Sequence, residues 1–287
     1  METTNKHVFH FEDKILTNYS GYNQLSRFYH FCLSLNVRSN VHIDFGWTEW
    51  FDGNLCALLW AMIHKLRQTH DHAFTADESQ VRTKFDFMFR NGFIKSESPV
   101  VDEQKSTVPV KSFNCNDKEG FCSYIQNELL SHRGMPADID TELKDRINED
   151  LLEVFCNTNH HANTTDPFFV GGQYYPRMGH LKFTMVDIGD GFLPRISKVT
   201  NGIIKTNLEA IHWALDGNST KIVLDQCPGG LGIKNMLKYC HDNGGVFQII
   251  SNNGFWSSDL YGSLFDEGRE LPTPFMGTTI NLQFQKK

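Results

Sequence analysis

The most informative stretch of the chain lies at positions 153–161 and reads Glu153-Val154-Phe155-Cys156-Asn157-Thr158-Asn159-His160-His161. Glu153, Asn157 and His161 recur every four residues, so a helix would place their side chains on one face. A carboxylate, an amide and an imidazole are costly to bury together. They suit a site in which a carboxylate orients a nucleophile and an amide oxygen binds Mg²⁺. The alternative is a polar helix face on which this spacing arises by chance.

The composition is that of a globular protein with room for one large or two modest domains. Of the 287 residues, 40% are hydrophobic and 21% are charged, and the net charge is -7. This negative charge argues against a general nucleic-acid-binding protein. The longest apolar run, at positions 55–63, is too short to cross a bilayer, and the first residues lack the regions of a signal peptide. We therefore expect no membrane partner and a cytoplasmic location.

The seven cysteines are scattered and include no Cys-x-x-Cys pair. Their odd number leaves at least one unpaired, which is typical of reduced thiols in a cytoplasmic protein.

The first 94 residues alternate short strand patterns with helical patterns. Strands are predicted at 8–11, 41–45 and 74–76, and helices at 22–35, 55–66 and 81–89. This alternation predicts a βαβ-type sheet covered by helices. The polar segment that starts at position 95 is the candidate boundary. We therefore predict two domains, 1–106 and 107–287.

Beyond the boundary the pattern is again α/β. Helices are predicted at 118–130, 138–161 and 231–241, and strands at 168–170, 181–187, 245–251 and 278–284. The glycine-containing segment 172–176 is predicted to form a hairpin turn. A long variable segment, 192–228, separates the strand 181–187 from the last helix.

An apolar strand ends on Asp187 and is followed by Gly189 and Gly191. A carboxylate at a strand end can accept a hydrogen bond from an amino group such as adenine N6, and the glycines let the backbone pass close to a flat ring. A tight turn after a strand would explain the same pattern.

Two further motifs involve glycine at the start of an element. Gly229, Gly230, Leu231 and Gly232 open the helix 231–241, where free amides and the helix dipole favour an anion. A plain loop is the alternative for this motif. Gly277 precedes Thr278 and Thr279 at the start of the last strand, where β-branched residues are common in any sheet.

The order and spacing of these four motifs closely resemble those of the GHKL, or Bergerat-fold, ATP-binding superfamily. That group includes histidine kinases, gyrase B, MutL-type repair proteins and the anti-sigma serine kinases. The resemblance covers roughly residues 115–285. It implies an α/β sandwich, with a mixed sheet covered by helices on one face, and ATP and Mg²⁺ as cofactors.

The resemblance also implies a role for each motif residue. Glu153 would be the general base or water-orienting residue, and Asn157 the Mg²⁺ ligand. Asp187 would accept a hydrogen bond from adenine N6. The remaining site residues would be Gly189 and Gly191 beside the base, Gly229, Gly230, Leu231 and Gly232 around the phosphates, Thr278 or Thr279 bridging to the base through water, and His161 near the phosphates. Residues 192–228 would form a lid over the nucleotide.

The amino-terminal half resembles the STAS, or anti-anti-sigma, domain more faintly. The resemblance rests on the strand–turn–helix pattern of residues 41–59. Phosphorylation-switched STAS domains carry a serine after the aspartate, whereas here Asp52 is followed by Gly53 and Asn54. Neither residue has a hydroxyl group, so the usual phosphorylation switch is not expected, and the half would serve as a docking platform or dimer surface.

Three functions fit these features. The first is a Mg-ATP-dependent switch, in which slow hydrolysis changes the affinity for an unidentified protein partner. The second is an anti-sigma-type serine/threonine kinase, in which Glu153 activates a partner's hydroxyl. The third is an ATP-binding regulatory scaffold without turnover. The sequence does not identify the partner, and it leaves open whether the chain forms a homodimer.

Overall fold

The structure, a computed structural model, describes residues 6–97, 100–161, 165–218, 231–260, 262–264 and 266–286, and for residues 158–161 the description covers the backbone only. Helices are combined with a large sheet, so the predicted α/β class is confirmed. Within these ranges no helix has both the length and the apolar composition needed to cross a bilayer.

The amino-terminal half contains short strands and two long helices. Its elements are β1 (Lys6–His10), β2 (Lys14–Ile15), α1 (Tyr19–Leu33), β3 (Asn40–Asp44), β4 (Trp50–Phe51), α2 (Cys56–His70), β5 (Ala73–Ala76), α3 (Glu78–Lys84) and α4 (Phe87–Arg90). Strands β1, β3 and β5 form a parallel sheet in the order β1-β3-β5, and β2 pairs with β4. The alternation of strands and helices follows the sequence prediction, with the ends shifted by a few residues.

The predicted single helix at 81–89 is wrong, because the chain breaks it into α3 and α4. Phe85 leaves the helical conformation at φ -137° and ψ 48°. Phe85 and Phe87 then both pack against Phe51, with ring centroids 6.4 Å apart in each case. In one unbroken helix, residues two apart point to different sides, so both rings could not reach the same neighbour.

The carboxy-terminal half is built around a seven-stranded sheet. Its elements are β6 (Thr107–Phe113), α5 (Lys118–Tyr124), a π-helix (Ile125–Leu130), α6 (Thr141–His161), β7 (Phe168–Tyr175), β8 (His180–Asp187), α7 (Leu193–Val199), α8 (Asn207–Leu215), α9 (Leu231–Asp242), β9 (Val246–Ser251), β10 (Gly254–Ser257), β11 (Arg269–Glu270) and β12 (Thr278–Gln285). The strand order is β11-β10-β9-β12-β8-β7-β6, and each described pairing is antiparallel. The expected mixed sheet is therefore wrong in its strand directions.

The two faces of this sheet are covered by different parts of the chain. Because side chains alternate along a strand, Phe183 and Met185 of β8 face one side and Val186 faces the other. The side of Phe183 packs against α5, α6, α8 and α9, and we call it the helix-covered face. The side of Val186 shares a core with the amino-terminal half, and we call it the joint face. The expectation of helices on one face only is thus incomplete, because α2 packs against β7 and β8 from the other side.

Buried polar contacts fix the amino-terminal half to the joint face. Lys182 of β8 forms an ion pair with Asp52 at 2.7 Å, and the Asp52 side chain is only 2% exposed. The Nδ2 atom of Asn54 donates hydrogen bonds to Thr184 at 2.8 Å and to Asn281 at 2.9 Å. Asp52 and Asn54 therefore lie in an internal interface.

The predicted hairpin turn at 172–176 is wrong, because these residues belong largely to β7. A Cβ atom on Gly172 would lie 2.7 Å from the carbonyl oxygen of Lys182 on the neighbouring strand. This glycine therefore serves a close approach of two strands rather than a turn. The chain reverses after Tyr175 and reaches Gly179 at φ +67° before β8 begins.

Candidate functional site

Helix α6 carries Glu153 against the first turn of α9. The amide of Gly232 donates a hydrogen bond to Oε2 of Glu153 at 2.9 Å. A Cβ atom on Gly232 would lie 2.8 Å from the carbonyl oxygen of Asp150 and 3.2 Å from Cβ of Glu153. The two helices approach so closely here that position 232 requires glycine. The structure thus brings together two of the predicted site residues.

Asn157 lies one helical turn beyond Glu153 on α6. Its Oδ1 atom is shielded from solvent, and no hydrogen-bond partner for it exists among the residues that the structure describes. Leaving a buried acceptor unpaired costs about 1–3 kcal/mol. A ligand that donates a hydrogen bond, or a cation, would offset this cost.

Aromatic packing places this end of α6 over the end of the sheet where β7 begins and β8 finishes. The ring of Phe155 packs edge-on against that of Phe168, with centroids 5.3 Å apart. Phe168 begins β7, and the next residue, Phe169, pairs with Val186 of β8. Asp187 follows Val186, so Asn157 and Asp187 belong to the same end of the helix-covered layer.

Asp187 is the last residue of β8 and faces the same side as Met185. Burial raises the pKa of its carboxyl group to about 7. A hydrogen bond from the amide of Gly189 opposes this rise, the charge of Asp190 adds to it, and a hydrogen bond from the hydroxyl of Thr278 again opposes it. The Oδ1 atom is buried without a partner in the described part of the chain. One carboxylate oxygen is therefore available to a ligand.

Glycines shape the backbone around Asp187. Gly277 has φ +67°, and a Cβ atom there would lie 2.0 Å from the carbonyl oxygen of Asp187. Gly191 has φ +75°, and its Cβ would lie 2.6 Å from Nδ2 of Asn252. Both positions therefore exclude other residue types. Asn252 also donates a hydrogen bond to the carbonyl oxygen of Asp190 at 2.9 Å, which holds the turn in place.

The two predicted threonines lie on opposite faces of the sheet. Thr278 pairs with Asp187 in the register of β12 and β8, and its hydroxyl contributes to the hydrogen bonding of that carboxylate. Thr279 pairs with Val186 and Ile250, both of which belong to the core of the joint face. The structure thus gathers Thr278 with Asp187 and separates Thr279 from them.

Part of the predicted site lies outside the described residues. Gly229 and Gly230 are in this group, as are residues 219–228 of the predicted lid segment 192–228. The backbone of His161 ends α6, but its side chain is not among those described. Leu231, at the start of α9, is 41% exposed.

The structure adds one pair that the sequence reasoning missed. Asn235 of α9 donates a hydrogen bond from Nδ2 to Oδ1 of Asp150 at 2.9 Å. Asp150 precedes Glu153 by three residues, and Asn235 follows Gly232 by three. Helical spacing from the two recognised motif residues would have pointed to both positions.

Comparisons with known proteins found no match for this chain. No model of a protein family matches the chain, no curated protein matches it, and no solved structure matches its fold.

Proposed function

We propose that the chain binds ATP with Mg²⁺ on the helix-covered face and hydrolyses it slowly as a nucleotide-dependent switch. The observation that carries this proposal is a pair of buried oxygens, Oδ1 of Asp187 and Oδ1 of Asn157, without partners in the described ranges. Buried acceptors are almost always paired in proteins, so two orphaned acceptors at one end of a layer favour a ligand. The resemblance to the GHKL superfamily supports the choice of that ligand.

The Asp187 end suits an adenine ring. Its carboxylate would accept a hydrogen bond from the exocyclic amino group, which adenine carries at C6 and guanine does not. Gly191, at φ +75°, lets the backbone make the turn after Asp187, beside which a flat ring would lie. Thr278 shares this face, so we assign the supporting role to Thr278 rather than to Thr279.

The Asn157 end suits a magnesium ion. Mg²⁺ prefers oxygen ligands, and in nucleotide sites it commonly takes one or two from the protein and the rest from phosphates and water. The Oδ1 atom of Asn157 is an acceptor of this kind, and it lies one helical turn from Glu153. A triphosphate beside the first turn of α9 would place its charge near the positive end of the helix dipole.

Glu153 is the residue that we assign to water activation. Bound Mg²⁺ and the triphosphate would supply the electrophilic phosphorus and absorb its developing charge. The carboxylate of Glu153 is held against the first turn of α9 by the amide of Gly232. From this position it can orient a water molecule and accept its proton.

Strand β8 supports the proposal of a switch. It ends in Asp187 on the helix-covered face, while its residues Lys182 and Thr184 contact Asp52 and Asn54 on the joint face. Nucleotide binding at Asp187 would therefore act on a strand that also contacts the amino-terminal half.

Two alternatives belong to other classes. In the kinase alternative, the γ-phosphate would pass to a hydroxyl group of a partner protein. Phosphorylation within the chain at the STAS-like position is disfavoured, because Gly53 and Asn54 carry no hydroxyl and are buried. In the scaffold alternative, ATP would bind without turnover. Transfer of labelled γ-phosphate to another protein would support the kinase, and tight binding without any product would support the scaffold.

The adenine assignment is tested by calorimetry with ATP and GTP. The wild-type chain should prefer ATP. Asp187→Asn should weaken ATP binding by about tenfold to a hundredfold, which corresponds to a lost hydrogen bond to a charged group of about 1.5–3 kcal/mol. It should also reduce discrimination against GTP. Unchanged ATP affinity would refute the adenine assignment.

The role of Glu153 is tested by phosphate release. Glu153→Gln keeps an acceptor for the Gly232 amide but removes the base. We expect ATP still to bind while phosphate release falls by about a hundredfold or more. Release at the wild-type rate would contradict the assignment of Glu153.

A further inference from the structure

The two links between α6 and α9 lie one helical turn apart on both helices. In the first link, the Gly232 amide donates to Glu153. In the second, Nδ2 of Asn235 donates to Oδ1 of Asp150 at 2.9 Å. Two contacts one turn apart fix the distance between the two helices and resist rotation of α9 against α6. One contact alone would leave α9 free to pivot about it.

The helices touch most closely between these two links. A Cβ atom at position 232 would lie only 2.8 Å from the carbonyl oxygen of Asp150. Because backbone meets backbone here, a small rotation of α9 would separate the Gly232 amide from Glu153. The Asp150–Asn235 link is placed to prevent that rotation.

The link also has an energetic cost, which suggests that it serves a purpose beyond packing. Burial raises the pKa of Asp150 to about 6, the hydrogen bond from Asn235 opposes the rise, and the charges of Glu153 and Glu149 add to it. A second carboxylate beside Glu153 is therefore unfavourable by itself. A neutral side chain would join the helices without this repulsion.

We propose that Asp150 and Asn235 are a positioning pair that holds Glu153 and the first turn of α9 in the arrangement needed for phosphate release. The inference rests on the proposed function, because it requires Glu153 to act on a bound triphosphate. The pair does not touch the reacting atoms. Its effect is on turnover, and nucleotide affinity depends on other residues, Asp187 and Asn157.

Steady-state kinetics of ATP hydrolysis test the pair. Asp150→Ala and Asn235→Ala should each lower kcat by about tenfold to a hundredfold, because a misplacement of about 1 Å is enough for such a loss. KM should stay within about threefold of the wild-type value. The double variant should be no slower than either single variant, since both substitutions remove the same link.

An exchanged pair separates positioning from simple stabilisation. Asp150→Asn combined with Asn235→Asp restores a donor and an acceptor in reversed order, and it should recover kcat to within about threefold of the wild-type value. Glu149→Ala is the matched control, because it removes an exposed charge next to Asp150 without touching α9. This control should hydrolyse ATP at the wild-type rate. Thermal unfolding of each variant confirms that it is folded.

Three outcomes would overturn the inference while leaving the proposed function intact. The first is wild-type kcat in Asp150→Ala, the second is an exchanged pair as slow as the single variants, and the third is a change in KM in place of kcat. ATP binding by the unaltered chain without turnover would overturn the inference together with the proposed hydrolysis, and it would support the scaffold alternative. Absence of ATP binding by the unaltered chain would refute the proposed function and the inference together.

Discussion

Two aspartates lie on opposite faces of the seven-stranded sheet, and their surroundings differ in one decisive respect. Asp52, on the joint face, accepts hydrogen bonds from the amide and hydroxyl of Thr17, from Trp50, from Tyr175 and from Lys182, at 2.7–3.0 Å. Burial by itself would raise its pKa, but the charge of Lys182 and these hydrogen bonds lower it.

Asp187, on the helix-covered face, has no cation to offset its burial, as far as the described residues show. Its pKa is raised to about 7, and one of its oxygens has no partner in that part of the chain. The carboxylate of Asp52 thus has its hydrogen-bonding capacity satisfied, whereas Oδ1 of Asp187 has no partner in the described part of the chain. A carboxylate of the first kind holds a fold together, whereas one of the second kind is typical of a binding site.

The largest effect is expected when Asp52 loses its ion-pair partner, Lys182. Lys182→Met leaves Asp52 as a buried charge without its cation, and we expect it to lower the free energy of unfolding by about 3–5 kcal/mol. Urea unfolding followed by tryptophan fluorescence measures the change. Lys238→Met is the matched control, because Lys238 pairs with Asp242 at an exposed site on α9 and should matter little. Equal effects of the two substitutions would contradict the structural role of the ion pair.

The next effect concerns the pH dependence of stability at Asp187. Its pKa is raised from 3.8 to about 7 by folding. The folded state therefore favours the protonated form, and this stabilisation is complete below pH 3.8 and is lost as the pH rises through about 7. Asp187→Asn should gain stability over the wild type as the pH rises from about 4 to 7, by at most about 1.4 kcal/mol for each pH unit.

Urea unfolding of the wild type and Asp187→Asn at several pH values measures this slope. A difference between the two proteins that stays constant from pH 4 to 8 would argue against a raised pKa at Asp187.

A smaller effect is expected for Asn157, the proposed metal ligand. Asn157→Ala should make ATP affinity insensitive to Mg²⁺ and lower the affinity in the presence of Mg²⁺ by about tenfold, or about 1.4 kcal/mol. Calorimetry with and without Mg²⁺ measures this dependence. Asn148→Ala, which removes the same residue type earlier on α6, is the control and should keep the response to Mg²⁺. A preserved response in Asn157→Ala would exclude this residue as the ligand.

The smallest effects are expected from substitutions of Thr278 and Thr279, and they distinguish the roles of the two residues. Thr279→Val removes a buried hydroxyl that has no partner among the described residues, so stability should change by less than about 1 kcal/mol and ATP affinity should not change. Thr278→Val removes a hydrogen-bond donor to Asp187 and should weaken ATP binding a few-fold. Weaker ATP binding in Thr279→Val with unchanged binding in Thr278→Val would instead place the adenine base on the joint face.

The elements of the fold were largely predictable from local patterns. Strand β8 and helix α9 occur within a residue or so of the predicted positions, because an apolar strand and an amphipathic helix carry their signals locally. Helix α6 likewise contains the predicted acid and amide on one side. Strand β10 was missed, since its four residues begin with Gly254 and are too short to show a period.

The assignment of faces could not be predicted in the same way. Thr184, Asn281 and Gln248 are polar and would be expected in solvent, yet they lie side by side on three neighbouring strands and are buried under the amino-terminal half. Their polarity is explained by tertiary contacts: Thr184 and Asn281 accept hydrogen bonds from Asn54, and Gln248 donates one to the carbonyl oxygen of Thr17. For the same reason the sequence named both Thr278 and Thr279, and only the register of β12 distinguished them.

The polar row of Thr184, Asn281 and Gln248 has a practical consequence for anyone who divides the protein. The segment that starts at position 95 looks like a convenient place to cut. A fragment that begins at residue 107 would expose to solvent this polar row, Lys182 without its partner Asp52, and the surrounding apolar side chains. Such a fragment would expose apolar surface and aggregate, so biochemical work on the proposed nucleotide site requires the undivided chain.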